Sequence, residues 1–433
     1  MTQTTPGRRA LGVDVVVYLA FTAFAIATAV GAAYYGHRVW GNFAIAGYTL
    51  AAAHSAWLLA RSVASGFGSS WWHSRWLGIA AIFLVALVAP LVYLVVRRLG
   101  STDWLDTPHA WSAQPEVWVI ERSAALLLHN GTPYVDVTAL GRPPVVNDYT
   151  PYGPVMSLFG MPRAALNQLG LSASELGRAL TDARVVFAVV TVSLVALCLK
   201  VLGSPRVPVP AAQLALACPA TALTWAVAGP DLAILGLLLL SVVLAARDHA
   251  ALSGIVLALT VSAKLTAAPA ALVLAIMLFM RSGPRGLARF LGTLVATGVA
   301  VNVPVWLVDP RAFTEHVIAF PAGSGAVESP AASALPGYLI ASTGPIGQVI
   351  ALGLLGVAAL AITAWLFARP PGTGADAMLR IAVGLGTAIL LTPATRFGYL
   401  VYPLVLLGAR LCVPDDADDP GTGACPPGGP ARR

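Results

Sequence analysis

Apolar residues recur in blocks of roughly 17–25 along nearly the whole of this 433-residue chain, the length that crosses about 30 Å of hydrocarbon at ~1.5 Å per residue. A helix spanning a bilayer satisfies its own backbone, so a chain built this way folds as a bundle of membrane helices. The blocks are continuous rather than alternating, which excludes a β-barrel. Charged residues make up only 10%, where a water-soluble domain carries about a quarter. Hydrophobic segments fall at 12–35, 42–61, 76–98, 183–202, 209–227, 231–247, 251–264, 267–281, 288–308, 343–368, 378–394 and 398–412. They number twelve if 251–281 is two segments and eleven if it is one kinked helix. Arg247 precedes that stretch and Arg281, Arg285 and Arg289 follow it. Basic residues at both ends favour a hairpin that returns to its starting side, with arms too short to survive except when packed inside protein.

The net charge of +7 is almost all arginine, since only Lys200 and Lys264 are lysines. The basic residues stand singly or in pairs at segment ends, a topology signal rather than a nucleic-acid patch. A cytoplasmic N-terminus puts Arg8, Arg9, Arg61, Arg75, Lys200, Arg206, Arg247, Arg281, Arg285, Arg289, Arg369, Arg380 and Arg410 on the cytoplasmic side. Arg97 and Arg98 run against that assignment. The other side receives the long 99–182 stretch and the 309–342 loop. The reading is a multi-pass plasma-membrane protein with one membrane domain over 1–412, both termini cytoplasmic, and a disordered tail over 413–433. The basic N-terminus lacks a small-residue cleavage site and reads as a retained first helix. Cys198, Cys218, Cys412 and Cys425 have no metal-ligand spacing. No nucleotide-binding motif and no metalloprotease or hydrolase motif is present, so neither a cofactor nor a metal is expected.

The outward stretch "ERSAALLLHNGTPYVDVTALGRPPVVNDYTPYGPVMSLFGMP", residues 121–162, is polar, acidic and rich in Pro and Tyr. In "PEVWVIERSAALLLHNG", Glu116, Ile120 and Ser123 share one helical face, which predicts a short amphipathic helix at the membrane surface that Gly131 stops. The prolines beyond it favour extended or turn structure. The simplest reading is an interfacial cap with ordinary solvated acids.

Three stretches point further. "EVWVIERSAALLLHNGTPY…YTPYGPVMSLFGMP" resembles the first extracytoplasmic loop of family 87 glycosyltransferases, members of the C-type superfamily that uses polyprenyl-phosphate sugars. "SGIVLALTVSAKLTAAPAALVLAIMLFMRSGPR", residues 253–285, looks like that family's Lys-and-Pro segment before a basic loop. "LLTPATRFGYLVYPLVLL", residues 390–407, is similar to its penultimate turn. Glu116 stands where the family usually has Asp, "GPDL" at 229–232 replaces a frequent amide-bearing turn, and Arg396 replaces His or another polar residue. Three hydrophobic segments precede the loop, more than the simplest family layout has.

The resemblance implies an all-α C-type bundle of about 11–12 transmembrane helices with a long first extracytoplasmic catalytic loop. It implies transfer of a sugar, mannose first and arabinofuranose next, from a polyprenyl phosphate to a glycolipid or cell-wall glycan. The Lys-poor, Ala- and Arg-rich composition suggests a high-GC, actinobacterial source. A carboxylate must take the acceptor proton, and cations or amides must stabilise the departing phosphate. Glu116 is the first candidate base and Asp148 the second, with Asp103 and Asp106 behind them. Lys264, Arg396 and His316 are candidates for contact with the donor or acceptor. Tyr149, Tyr152, Tyr399 and Tyr402 suit either a sugar-lined cleft or simple interfacial anchoring, and Asp231 suits a helix cap. The competing readings are a transporter or flippase of a lipid-linked saccharide, and a non-catalytic membrane subunit.

Overall fold

A computed structural model describes residues 7–64, 70–100, 111–171 and 174–413. Asp103, Asp106, Cys425 and the tail beyond Val413 lie outside them. The regular structure among the described residues is helical, apart from one isolated bridge between Ala332 and Thr395. The main helices are α1 (Arg8–Gly31), α2 (Tyr35–Ala64), α3 (Trp76–Leu99), α4 (Pro115–Asn130), α5 (Met161–Gln168), α6 (Glu175–Leu180) and α7 (Ala183–Val201). They continue as α8 (Val209–Ala217), α9 (Pro219–Val227), α10 (Pro230–Ala246), α11 (Ala250–Ala263), α12 (Ala270–Val308), α13 (Pro345–Ala368), α14 (Gly374–Leu391) and α15 (Phe397–Arg410). The expected hydrophobic segments fall on these helices, but 209–227 is divided between α8 and α9, and 267–281 and 288–308 share α12. Among the described residues, seven helices are long and apolar enough to cross a membrane, or eight if α8 and α9, bent by 41°, form one span. Pro219 sits at that bend and has no N–H to continue the ladder.

α10, α11 and α15 are shorter than a full span. α10 is buried on nearly every side, as a helix that is apolar all round requires. The 251–281 question resolves as a hairpin. α11 ends at Ala263, and the first arm of α12 brings Arg281 back to Asp248, Nη2 to Oδ2 3.2 Å. α12 breaks at Gly283, whose φ of 65° only glycine adopts freely. The expected basic loop is therefore a kink inside one helical run. The second arm climbs beside α11: Thr293 Oγ1 donates to Ala251 O at 2.9 Å, and Ser262 Oγ to Asn302 Oδ1 at 3.0 Å. A Cβ on Gly254 would lie 2.4 Å from Phe290 O, so glycine lets the two backbones touch.

The helices sort the charges to two ends. At one end Arg247 donates to Leu202 O, Arg281 to Gly372 O, and Arg380 to Arg369 O. The other end gathers Glu116, Asp231, Lys264 and Arg396. Arg98, an exception to the charge rule, is consumed there by Glu121 and Asp182, each at 2.8 Å. Its neighbour Arg97 lies 3.9 Å from the Tyr35 ring centroid. These contacts explain why two arginines stand where topology signalling alone would not put them.

α4 differs from the expected surface helix. It ends at Gly131 in the left-handed region, φ 73°, as its sequence predicts. Yet Val117, Ile120, Ser123 and Ala124 are all buried. The Pro154–Gly160 turn wedges against it: Ser157 Oγ lies 3.0 Å from Ser123 Oγ, and a Cβ on Gly160 would lie 2.4 Å from Ile120 O. Apolar residues on more than one face made burial the better solution.

Candidate active site

The break between α11 and α12 places the central cation. Lys264 leaves the helix in an extended conformation, φ −151° and ψ 120°, at the tip of the hairpin. Its Nζ lies 2.5 Å from Asp231 Oδ1, and Tyr402 donates its hydroxyl to the same oxygen at 2.7 Å. The ammonium is 4.6 Å from the Tyr399 ring centroid and 5.9 Å from those of Tyr152 and Tyr402, within reach of cation–π attraction. Gly229, at φ 90°, turns the chain so that Pro230 and Asp231 open α10 at this spot. The expectation that Asp231 caps its own helix is corrected here. Its carboxylate accepts from Lys264 and Tyr402, because a buried ammonium needs a counter-charge more than a helix start needs a cap.

Glu116, in the first turn of α4, meets Arg396 across 280 residues of sequence, Oε1 to Nη1 2.6 Å. Its other oxygen, Oε2, is buried without a hydrogen-bond partner. Gln114 fixes the start of α4: its N–H donates to Val227 O at 2.8 Å, and its Nε2 lies 3.2 Å from His37 Nε2. Burial works against the Arg396 charge, but the Glu116 carboxylate outweighs it and holds the guanidinium above its ordinary range. Burial, reinforced by the Glu116 charge, pushes the Tyr152 hydroxyl well up, so it keeps its proton as a donor. Two acids and two cations are thus paired in a cluster, with three tyrosine rings around Lys264. One carboxylate oxygen is left to accept.

Tyr152 is delivered by a very close backbone approach. A Cβ on Gly153 would lie 1.9 Å from Ser262 O, two residues before Lys264. Gly153→Ala forces that loop away from the hairpin tip. The expected cost is about 1–3 kcal/mol, read as a lower midpoint in thermal unfolding of the purified protein.

Asp148, Tyr149 and His316 come together in a second cluster, between the 134–150 loop and the helical turn Glu315–Ala319. Arg142 grips Asp148 with both nitrogens, at 2.7 and 2.8 Å, and the Val145 N–H adds a third bond. Burial alone would raise this carboxyl, but these partners hold it below the usual carboxylate range. Tyr149 donates to Glu315 Oε1 at 2.9 Å, and burial pushes its hydroxyl up to about 12. The buried His316 accepts the Thr150 N–H on Nδ1 and faces Val135 O with Nε2, each at 2.8 Å. Nδ1 must be bare to accept, so the ring is neutral with its hydrogen on Nε2. Burial holds His316 below its ordinary value of 6.5. The unfolded chain therefore binds more protons than the folded one below pH 6.5, and stability falls as pH drops. Limited proteolysis of the 134–150 loop is expected to accelerate between pH 7.5 and 5.5, and His316→Gln is expected to flatten that dependence.

Of the candidates, Glu116, Arg396, Lys264, Tyr152 and Tyr402 are brought together with Tyr399, and Asp148, Tyr149 and His316 are set apart. Sequence reasoning missed His37 and Gln114, and misassigned Asp231. His37 carried a weak signal, a ring among aromatics at the start of an apolar segment. Among the described residues no group of three or more His, Cys, Asp or Glu is placed to hold a metal ion.

A family model for glycosyltransferase family 87 matches residues 149–393. The stretch contains Tyr152, Asp231 and Lys264, starts after Glu116, and ends just before Arg396. No curated protein and no solved structure matches the chain.

Proposed function

The chain belongs to glycosyltransferase family 87, matched over more than half its length, and on that footing we propose how this membrane glycosyltransferase works. It transfers a sugar, mannose in preference to arabinofuranose, from a polyprenyl-phosphate donor to a hydroxyl of a glycolipid or cell-wall glycan. The reaction runs on the extracytoplasmic side, the side that the arginine-rich end of the bundle does not face under the positive-inside rule. Family membership displaces the transporter and assembly-subunit readings.

Glu116 acts as general base through Oε2, the buried oxygen that no protein donor occupies. That atom carries the proposal. As the acceptor oxygen bonds to the anomeric carbon, its proton passes to Glu116. The bond from that carbon to the phosphate oxygen breaks, and the electron pair leaves with the polyprenyl phosphate. Protonation removes the charge by which Glu116 holds Arg396, so the guanidinium becomes available to the phosphate as its charge grows. Lys264, screened by Asp231 in the resting site, supplies a second cation at the hairpin tip. Tyr152, Tyr399 and Tyr402 give flat faces for a sugar ring.

The test is a donor comparison on purified protein. Polyprenyl-phosphate mannose and polyprenyl-phosphate arabinofuranose are each offered beside the matching nucleotide sugars, with a glycolipid acceptor. Transfer from a lipid-linked donor alone is expected. Efficient use of a nucleotide sugar overturns the donor assignment.

A further inference from the structure

A cavity of about 400 Å³ lies on the far side of α4 from Glu116. Arg98, Arg122, Arg163, Arg178, Glu121 and Asp182 line it. Four guanidinium groups against two carboxylates leave an excess of two positive charges in its wall. The carboxylates are already engaged. Arg98 binds Glu121 and Asp182, and Arg184 binds Asp182 from behind at 2.9 Å. Arg163 comes no closer to Glu121 than 4.0 Å. Arg122 Nε and Arg178 Nε are buried without a hydrogen-bond partner. Arg122 spends its two Nη atoms on Asn147 O and Asp148 O, and Arg163 donates to Thr181 Oγ1 and Arg178 O, so what remains is the two buried Nε groups and the fork of Arg178. Together with the positive excess of the wall they call for an anion, and a phosphate fits that fork best.

The rim shows which kind of phosphate. Arg163 and Asn167 reach the cavity from α5, and Arg178 reaches it from α6. The same hairpin exposes Leu169 at 71%, Leu176 at 69% and Leu180 at 60%. One face cationic and the other rich in bare leucine is the pattern of a segment lying in the headgroup layer. A free phosphate would have no use for the leucines.

We propose that this cavity binds the phosphate of an anionic phospholipid headgroup, with the lipid's chains running beside the α5–α6 leucines. The site is separate from the reaction centre and does not depend on the reaction assigned there. Glu121 sits five residues beyond Glu116, about 140° around the helix.

The full chain, purified into mixed micelles of phosphatidylglycerol and phosphatidylcholine, is examined by native mass spectrometry for retained lipid. Wild type is expected to retain phosphatidylglycerol selectively. Arg178→Gln is expected to lower that retention on the order of 10-fold, the loss of one charged hydrogen-bonded contact, while Arg178→Lys keeps most of it. Asn167→Asp, at an exposed position, adds a negative charge at the mouth and is expected to abolish the preference even if Arg178→Gln fails to fold. Equal retention of both lipids by wild type, or an unchanged preference in folded Arg178→Gln and Asn167→Asp, overturns the proposal. Inorganic phosphate that stabilises the protein in neutral detergent as much as phosphatidylglycerol does would assign the cavity to a free anion and overturn the lipid assignment.

Discussion

Glu116→Gln is expected to lower sugar transfer by roughly 10²–10⁴-fold, the usual worth of a positioned general base, while the protein folds and still binds the lipid donor. Gln has nearly the same shape, and its amide oxygen can accept from Arg396 where Oε1 now does at 2.6 Å. What it loses is the ability to take a proton. The measurement is single-turnover transfer with donor binding recorded in parallel, so that a lost base separates from a lost site. Asp148→Asn is the control. Asp148 is tied to Arg142 and the Val145 N–H, so its substitution is expected to loosen the loop and lower thermal stability, with far less effect on turnover. Wild-type transfer by Glu116→Gln would remove Glu116 from the chemistry.

The apolar blocks were legible because a bilayer reads only length and polarity. Each apolar block carries that signal by itself, and Gly131 and the hairpin ends carried theirs just as locally. The number of spans did not follow: eleven or twelve were expected, and among the described residues seven helices, or eight, are long and apolar enough to cross. The 231–247, 251–264 and 398–412 blocks form helices shorter than a span, and 267–308 forms one run broken at Gly283. The burial of α4 was not legible. Helical periodicity showed that Glu116, Ile120 and Ser123 share a face, but the covering Pro154–Gly160 turn comes from elsewhere in the chain. The site divides along the same line. Lys264 stood out as an ammonium between two apolar arms, and Glu116 and Arg396 through family resemblance. Their pairing spans 280 residues, and nothing in one sequence ties such positions together. Asp231 shows the cost. Beside Pro230 it looks like a cap, and only the fold brings Lys264 and Tyr402 to its carboxylate.

That buried pair supplies the other large effect. Lys264→Met leaves the Asp231 carboxylate buried with only the Tyr402 hydroxyl beside it, and Asp231→Leu leaves the ammonium among aromatic rings. Each single variant is expected to destabilise the protein by about 3–5 kcal/mol, the usual result of orphaning one member of a buried ion pair. The double variant Lys264→Met with Asp231→Leu removes both charges together. It is expected to recover much of that loss, because apolar groups of similar volume replace a buried pair at little net cost. Thermal unfolding of the two singles and the double, treated as a cycle, measures the coupling. Activity decides what the pair is for. If Lys264 serves the departing phosphate, the double variant regains stability without regaining transfer. Recovery of both together would make the pair a structural clip at the hairpin tip, and would leave Arg396 to meet the leaving group alone.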